Sequence, residues 1–505
     1  MSMGSLSDDD MFDNMSDKDI SENDSEVDLY DDADGFDIIV SEKDRRKAWE
    51  VDFRPHSEAD IKKSQDKQIQ EICDLLGQNK ENSAILLRHF RWDKDRLIEK
   101  YMEDSERVNR QAGIIESEEA APHIRKVTGF MCDICCDDED VDTYAMLCDH
   151  RFCVGCYSQY LTSKIRTEGE SQKIQCPGDK CRAAVDERTV RLLVDNSTYD
   201  RYITLLNRTY VDGNILLRWC PAPECEYAVE CAIGPKQLDH IVPTVVCTCR
   251  NRFCFGCGLP DHQPSICRLV KLWIKKCEDD SETANWISAH TKECPKCNST
   301  IEKNGGCNHM TCRKCKNEFC WICMGSWSEH GQNYYNCNRF EEKSGVDARD
   351  AQTKSRASLE RYLHYYNRFA NHEQSAKLDR ELYKRTEKKM LQLQTTSDLS
   401  WVECQFLSSG VDILCEARQT LKWTYAFAFY LARDNVTELF ENNQRDLEMA
   451  VEQLSELCEK PIEQADISAL KQQILDKTAY VGSRREVLLK DTAAGLQEER
   501  WTYIV

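Results

Sequence analysis

Residues 294–337 read CPKCNSTIEKNGGCNHMTCRKCKNEFCWICMGSWSEHGQNYYNC. The stretch offers nine candidate metal ligands: Cys294, Cys297, Cys307, Cys312, Cys315, Cys320, Cys323, His330 and Cys337. Two tetrahedral zinc sites need only eight. Pairing picks out the spare. Cys294/Cys297, Cys312/Cys315 and Cys320/Cys323 form CxxC pairs, and His330 pairs with Cys337, which leaves Cys307 without a partner. It lies in Gly305-Gly306-Cys307-Asn308-His309, where glycines allow close approach and an imidazole sits two residues away. A thiol held between two zinc sites beside an imidazole is a candidate nucleophile, with His309 as base for an incoming group. Glu318 would orient or polarise that imidazole. The competing readings are a free thiol at Cys307 and ordinary polar residues at His309 and Glu318.

Working outward, all but four of the 29 cysteines fall between residues 132 and 337. A reducing compartment does not keep so many thiols as disulfides, so they read as zinc ligands. The second module upstream runs Cys220-x4-Cys225-x21-Cys247-x-Cys249-x4-Cys254-x2-Cys257-x4-His262-x4-Cys267. Its pairs are sequential: Cys220, Cys225, Cys247 and Cys249 form one closed site, and Cys254, Cys257, His262 and Cys267 another. No coordination position is open, so these ions replace the core that such short segments cannot build. The first module supplies Cys132, Cys135, Cys148, His150, Cys153, Cys156, Cys176 and Cys181. Its spacing resembles a RING finger, in which ligand pairs interleave. The resemblance implies one ion on Cys132, Cys135, Cys153 and Cys156 and the other on Cys148, His150, Cys176 and Cys181. Cys136 and Cys231 are left over as packed or loop residues.

The flanks differ in kind. Residues 1–40 hold fourteen acidic residues and one lysine of a chain whose net charge is −22, and few apolar ones, so 1–50 reads as an acidic disordered tail. Such a tail suits a basic patch on a protein partner, or merely solvates. An acidic chain without a basic stripe is a poor ligand for nucleic acid. No apolar run reaches a membrane-spanning length, and Trp423 to Ala432 reads as buried helix, so no membrane partner is expected. The acidic N-terminus is unlike a secretory signal, and the expected location is the cytoplasm, with the nucleus also open. Residues 66–104 carry three short helical periodicities, capped at Asn82 or Ser83 and at Asp93 or Asp95. They resemble a ubiquitin-associated (UBA) domain and fit a generic three-helix unit equally well. Residues 105–127 read as linker. From 346 to 505 only three glycines and one proline interrupt the chain, and Leu359, Tyr362, Leu363, Tyr366 and Ala370 follow a core-facing helical stripe.

The order of the modules resembles the RING-between-RING (RBR) ubiquitin ligases, and the Ariadne branch specifically. Trp219-Cys220-Pro221-Ala222-Pro223, Cys254-Phe255-Gly256-Cys257, Lys292 to Cys297, Gly305 to Met310, Trp327 to His330, Tyr335 to Arg339 and Phe440 to Gln444 are family wording. The resemblance implies a multidomain chain of small zinc-stabilised modules: UBA-like at 66–104, RING1 at 128–190, in-between-RING (IBR) at 200–268, a helical linker at 269–291, RING2 at 292–340 and an all-α Ariadne domain at 346–505. It implies six structural zinc ions and a two-step transfer. RING1 would dock a ubiquitin-charged E2 enzyme through Ile134 and Pro177; ubiquitin would pass to Cys307 as a thioester and then to a lysine of a protein substrate. It further implies that the Ariadne domain masks Cys307, with Asp379 and Glu452 as candidates for the closing face, and that a neddylated cullin–RING ligase releases it. A RING-type scaffold without its own thioester and a non-catalytic zinc adaptor are the competing functions.

Overall fold

The computed structural model describes residues 47–115, 122–137, 141–279, 291–303, 305–332, 337, 340, 351–396, 405–460 and 467–504. Most of the acidic tail lies outside them. Its expected end does not: Val51 is buried, and the Trp49 carbonyl accepts a hydrogen bond from Gln263 Nε2 at 2.9 Å. The chain is therefore already pinned to the second cysteine module before residue 50. Strand β1 (Phe53–His56) then pairs antiparallel with a strand of that same module.

Four helices follow: α1 (Glu58–Leu76), α2 (Lys80–His89), α3 (Lys94–Glu103) and α4 (Ser105–Ala112). Helix α1 starts eight residues ahead of the expected boundary at 66. Ser57 and Asp60 close a reciprocal capping box there, and the extra turns bury Ile61 and Gln65, whose amide reaches Asn207 at 3.1 Å. A polar residue on the buried face hid those turns from an apolar count. Asn79 caps α2 instead of Asn82 or Ser83, and Asp93 caps α3. The supposed linker at 105–127 begins with α4, whose Val108 and Ala112 join the helical core. Gly113 ends it at φ +85°, and its carbonyl accepts from Ala184 of the first module at 2.9 Å. A side chain at 113 would run into the Arg182 carbonyl, so the position needs glycine for conformation and for space.

The first module is a three-stranded antiparallel sheet in the order β2-β3-β4, from β2 (Arg125–Lys126), β3 (Asp142–Ala145) and β4 (Arg151–Cys153), closed by α5 (Val154–Thr162). Helices α6 (Glu187–Leu193) and α7 (Asn196–Gly213) lead on to β5 (Leu217–Trp219) and β6 (Ala228–Cys231). These complete the sheet β1-β6-β5, so the second module borrows its edge strand from ahead of α1. The hairpin β7 (Thr244–Val246) and β8 (Arg252–Cys254) and helix α8 (Cys267–Asp279) finish it. Of the expected linker helix at 269–291, residues 280–290 lie outside the described residues. The third module is two hairpins, β9 (Thr291–Glu293) with β10 (Thr300–Glu302) and β11 (His309–Thr311) with β12 (Glu318–Cys320), followed by α9 (Trp327–Gln332).

The C-terminal third is α10 (Ala351–Thr396), α11 (Phe406–Phe429), α12 (Asn435–Glu459) and α13 (Ile467–Gln497). The Trp423 region is buried helix within α11, and no helix among the described residues is long and apolar enough to cross a membrane. The buried stripe of α10 differs from the apolar pattern: Leu359 is exposed, while Tyr362, Tyr365, Arg368, His372, Ser375 and Asp379 are buried. Helix α8 is swallowed by this domain. Its Trp273 is fully buried against Tyr362, Phe369 and Phe429, with ring centroids 5.3 to 5.9 Å apart. Trp273→Ala is expected to cost about 3–5 kcal/mol and Trp273→Phe clearly less, read as the fall in the thermal unfolding midpoint of the full chain. An unchanged midpoint for the alanine variant would show that α8 is not part of this core.

Candidate functional site

Five four-ligand clusters form: Cys132/Cys135/Cys153/Cys156 and Cys148/His150/Cys176/Cys181, as the RING resemblance implies, Cys220/Cys225/Cys247/Cys249 and Cys254/Cys257/His262/Cys267, as the sequential pairing expects, and Cys294/Cys297/Cys312/Cys315. The first two interleave and the other three are sequential. A tetrahedral zinc with Zn–S of ~2.3 Å sets sulfurs about 3.8 Å apart. The sulfurs here stand at 3.7 Å for Cys135–Cys153, 3.6 Å for Cys220–Cys249 and 3.6 Å for Cys294–Cys315. The donor sets therefore fit zinc. His262 turns Nε2 toward Cys257 at 3.2 Å because Nδ1 is held by the Ser265 carbonyl at 2.6 Å. In the third module Cys320, Cys323 and Cys337 lie in mutual hydrogen-bond contact. The side chain of His330, their expected fourth partner, lies outside the described residues.

One local device recurs at these sites. In five CxxC turns the N–H four residues after the first cysteine returns to its carbonyl: 136 to 132, 258 to 254, 298 to 294, 316 to 312 and 324 to 320. The residue that donates takes positive φ each time: Cys136, Gly258, Asn298, Lys316 and Met324. Cys136 is thus a turn residue, exposed, and takes no part in its neighbour's cluster.

Cys307 stands apart from both groups of its module. It precedes β11, whose register sets His309 opposite Cys320 and Thr311 opposite Glu318. Alternation then leaves His309 and Glu318 diagonal on one face. His309 Nε2 lies 3.5 Å from Glu318 Oε2 without forming a hydrogen bond, and the ring stacks on Trp327 at 4.2 Å and 5°. The His309 backbone N–H points at Cys307 Sγ, 3.3 Å away. On the first module, Ile134 is half exposed and Pro177 half buried.

The thiol itself is covered. Cys307 is only 7% exposed, under a layer supplied by α10, α11 and α12. Glu459 Oε1 accepts from Gly306 N at 3.0 Å and Cys307 N at 3.4 Å. Glu452 accepts from Asn308 N at 2.6 Å and Asn308 Nδ2 at 3.1 Å. Ser375 donates to the Gly306 carbonyl at 3.0 Å. Lys303, fully buried, donates to Asn308, Asn371 and Ser375 at 2.8 to 3.1 Å. Behind them Arg418 binds Asp379 at 2.5 Å and Glu452 at 3.0 Å with no exposure. Side chains at 305 and 306 would strike Glu459 and Asp379, so the two glycines make this approach possible.

The electrostatics follow from burial. Burial and the Glu452 charge push the Cys307 thiol well up, so it is a thiol and a weak nucleophile in this arrangement. Burial likewise raises Glu459 and Asp379. It opposes ionisation of Glu452 as well, but Arg418 and Lys303 outweigh it and hold that carboxyl down. Burial lowers the Lys303 ammonium to about 8. Asp379 and Glu452 were suggested by position alone; Glu459, Arg418, Lys303, Asn371 and Ser375 escaped the sequence reading. Their signal is present, since Asn371, Ser375 and Asp379 repeat every four residues, as do Glu448 and Glu452, with Ser455 and Glu459 at the next turns.

Comparison with known proteins agrees module by module. Residues 63–103 match "E3 ubiquitin-protein ligase ARIH1, UBA-like domain", 132–178 "Zinc finger, C3HC4 type (RING finger)", and 200–267 "IBR domain, a half RING-finger domain". Residues 360–483 match "Ariadne domain". The third module, 289–339, matches "IBR domain", in keeping with a cluster paired sequentially like those of the second module. Among relatives, E3 ubiquitin-protein ligase dbl4 of Schizosaccharomyces pombe is 56% identical over 474 residues, 94% of this chain and 93% of its own. E3 ubiquitin-protein ligase ariadne-1 of Drosophila melanogaster is 46% identical over 83% of this chain and 84% of its own. E3 ubiquitin-protein ligase ARIH1 of Homo sapiens is 45% identical over 86% and 79% respectively. With likeness of that depth along the whole series of zinc modules and helices, the chain belongs to the Ariadne family of RING-between-RING E3 ubiquitin-protein ligases, which are ubiquitin transferases.

Proposed function

We propose that this ligase works through a thioester on Cys307. A charged E2 docks on RING1 at Ile134 and Pro177, and ubiquitin passes from the E2 cysteine to Cys307. His309, oriented by Glu318, then takes a proton from the substrate lysine as its amine attacks. The observation that carries this reading is the thiol left outside the third module's ligand groups, on a Gly-Gly loop with an imidazole two residues on. Zinc, six ions with His330 completing the last site, holds these loops and takes no part in the chemistry.

The arrangement described above is the resting state. A nucleophile buried under three helices and held as a neutral thiol cannot meet an E2, so the helical domain must withdraw before transfer. Docking of a neddylated cullin–RING ligase on the UBA-like helices, with the acidic tail on a basic cullin surface, is the proposed release.

Lys303 makes closure pH-dependent. Its neighbours are Glu452, Asp379 and Cys307, which favour the charge, and Arg418, which opposes it; burial dominates. The folded chain releases this proton near pH 8, whereas an exposed lysine keeps it to about 10.4. Between those values the unfolded chain binds the extra proton, so the Lys303 contribution to the stability of the covered form rises with pH; the Cys307 thiol, pushed up by burial, contributes in the opposite sense above the ordinary thiol range.

Two outcomes are expected. In single-turnover assays with charged E2, the full chain carrying Glu452→Ala forms a reductant-sensitive ubiquitin adduct at least about tenfold faster than the parent, as the covered state loses the two Asn308 hydrogen bonds to the Glu452 carboxylate, each worth about 1.5–3 kcal/mol. Adding Cys307→Ala abolishes the adduct. Persistence of lysine discharge in that double variant at the same rate would sink the thioester reading. Separately, the stability gap between the parent and Lys303→Met grows with pH from 8 to 10 by up to about 1.4 kcal/mol per pH unit; a gap independent of pH would contradict the buried ammonium.

A further inference from the structure

The contact made by Glu459 has a chemical meaning beyond cover. A single carboxylate oxygen accepts from two consecutive backbone N–H groups, Gly306 at 3.0 Å and Cys307 at 3.4 Å. The second of these is the nucleophile's own amide. Consecutive N–H groups converging on one point form an anion-binding concavity. Glycine at 305 and 306 keeps it bare: side chains at those positions would fill the space that the Glu459 and Asp379 carboxylates enter. The next two N–H groups go elsewhere, that of Asn308 to Glu452 Oε2 at 2.6 Å and that of His309 to Cys307 Sγ at 3.3 Å. The loop thus presents two donors to one oxygen of Glu459, one to Glu452 and one to the sulfur.

In acyl transfer from a thioester, negative charge passes from the attacking sulfur to the carbonyl oxygen and then to the leaving sulfur. When sulfur attacks a thioester carbonyl, charge leaves the sulfur and gathers on the carbonyl oxygen. Preorganised backbone donors aimed at that oxygen, the nucleophile's own N–H among them, are the recurrent solution. We infer that the Gly306 and Cys307 N–H groups form an oxyanion hole for transfer through Cys307, and that Glu459 occupies it in the covered state as a stand-in for the tetrahedral oxyanion. The inference rests on the thioester reading above.

The step balances as follows. The Cys307 thiol gives its proton to base or solvent, and Sγ forms a bond to the carbonyl carbon of the ubiquitin C-terminus carried by the E2. The carbonyl π pair moves to oxygen, where the two N–H groups hold it. Collapse re-forms the carbonyl and breaks the carbon–sulfur bond to the E2 cysteine, which leaves as thiolate and is then protonated. The same hole receives the oxyanion formed when a lysine amine attacks the Cys307 thioester. Glu459 must leave before either step, so cover and catalysis compete for the same two protons. Burial raises the carboxyl of Glu459, and the Cys307 and Gly306 amides work against that shift by favouring its ionised form.

The test deletes one N–H and nothing else. In the full chain opened by Glu452→Ala and Glu459→Ala, Gly306 is replaced by glycolic acid, which turns the amide into an ester. Two rates are read, ubiquitin transfer from charged E2 to Cys307 and alkylation of Cys307 by iodoacetamide, a displacement at carbon that develops no oxyanion. Loss of one such donor should slow transfer about 100-fold while alkylation and zinc content stay as in the opened parent. Equal slowing of both rates would mean that the N–H serves the nucleophile or the loop, and unchanged transfer would mean that no hole exists; either overturns the inference. Gly306→Pro, which removes the same N–H by ordinary expression, is read against the same pair of rates should the ester fail to fold. An opened parent that forms no adduct on Cys307 would instead defeat the thioester reading itself.

Discussion

Everything around Cys307 hangs on one buried guanidinium. Arg418 has no exposure, so its charge is tolerable only while Asp379 and Glu452 stay against it. Those partners come from α10 and α12, and Arg418 itself from α11, so one ionic knot fixes three helices at one level. Glu452 then spends its remaining oxygen capacity on Asn308, one residue past the thiol. The chain of contacts runs from a charge that must be matched to the backbone of the Cys307 loop. Removing any member leaves a charge stranded in low dielectric, which is why the helical domain and the third module meet in one register rather than sliding.

Zinc modules and helical cover were not equally legible in the sequence. Metal ligation is local: the spacing of Cys220 to Cys267 carries its grouping, the resemblance to a RING finger carries that of Cys132 to Cys181, and the structure groups both sets accordingly, with Cys294/Cys297 joined to Cys312/Cys315. Cys307 was found by the same counting, as the thiol left over. The cover was poorly legible because its contacts are polar and distant in sequence. Apolar periodicity along α10 points to Leu359, which is exposed, whereas the inward face continues through Arg368, His372, Ser375 and Asp379. A polar residue at core spacing looks like noise until its partner is known. The early start of α1 failed for the same reason, since Gln65 faces Asn207 inside the molecule.

Module borders blur in the folded chain. The second module takes strand β1 from ahead of the UBA-like helices, and its last ligand, Cys267, is also the first residue of α8. Trp273 of that helix lies in the aromatic core of the Ariadne domain, and Trp423 of α11 meets the ligand His262 edge-on at 5.9 Å. The second module is therefore fused to the C-terminal helices through apolar packing, while the third meets them through amides, hydroxyls and charges. A cleft of about 450 Å³ lined by Lys292, Lys303, Trp321, Asn371 and Lys377 even runs between the third module and α10.

That contrast in chemistry bears on what happens to the chain in a crowded solution. Parting an apolar joint would leave two oily faces, each ready to stick to the next molecule. The faces that meet over Cys307 carry Glu459, Glu452, Ser375, Asn371, Lys303 and Asn308, all of which water can satisfy as readily as their present partners do. On the proposed opening, a molecule built this way would bare Cys307 without baring an apolar face along with it.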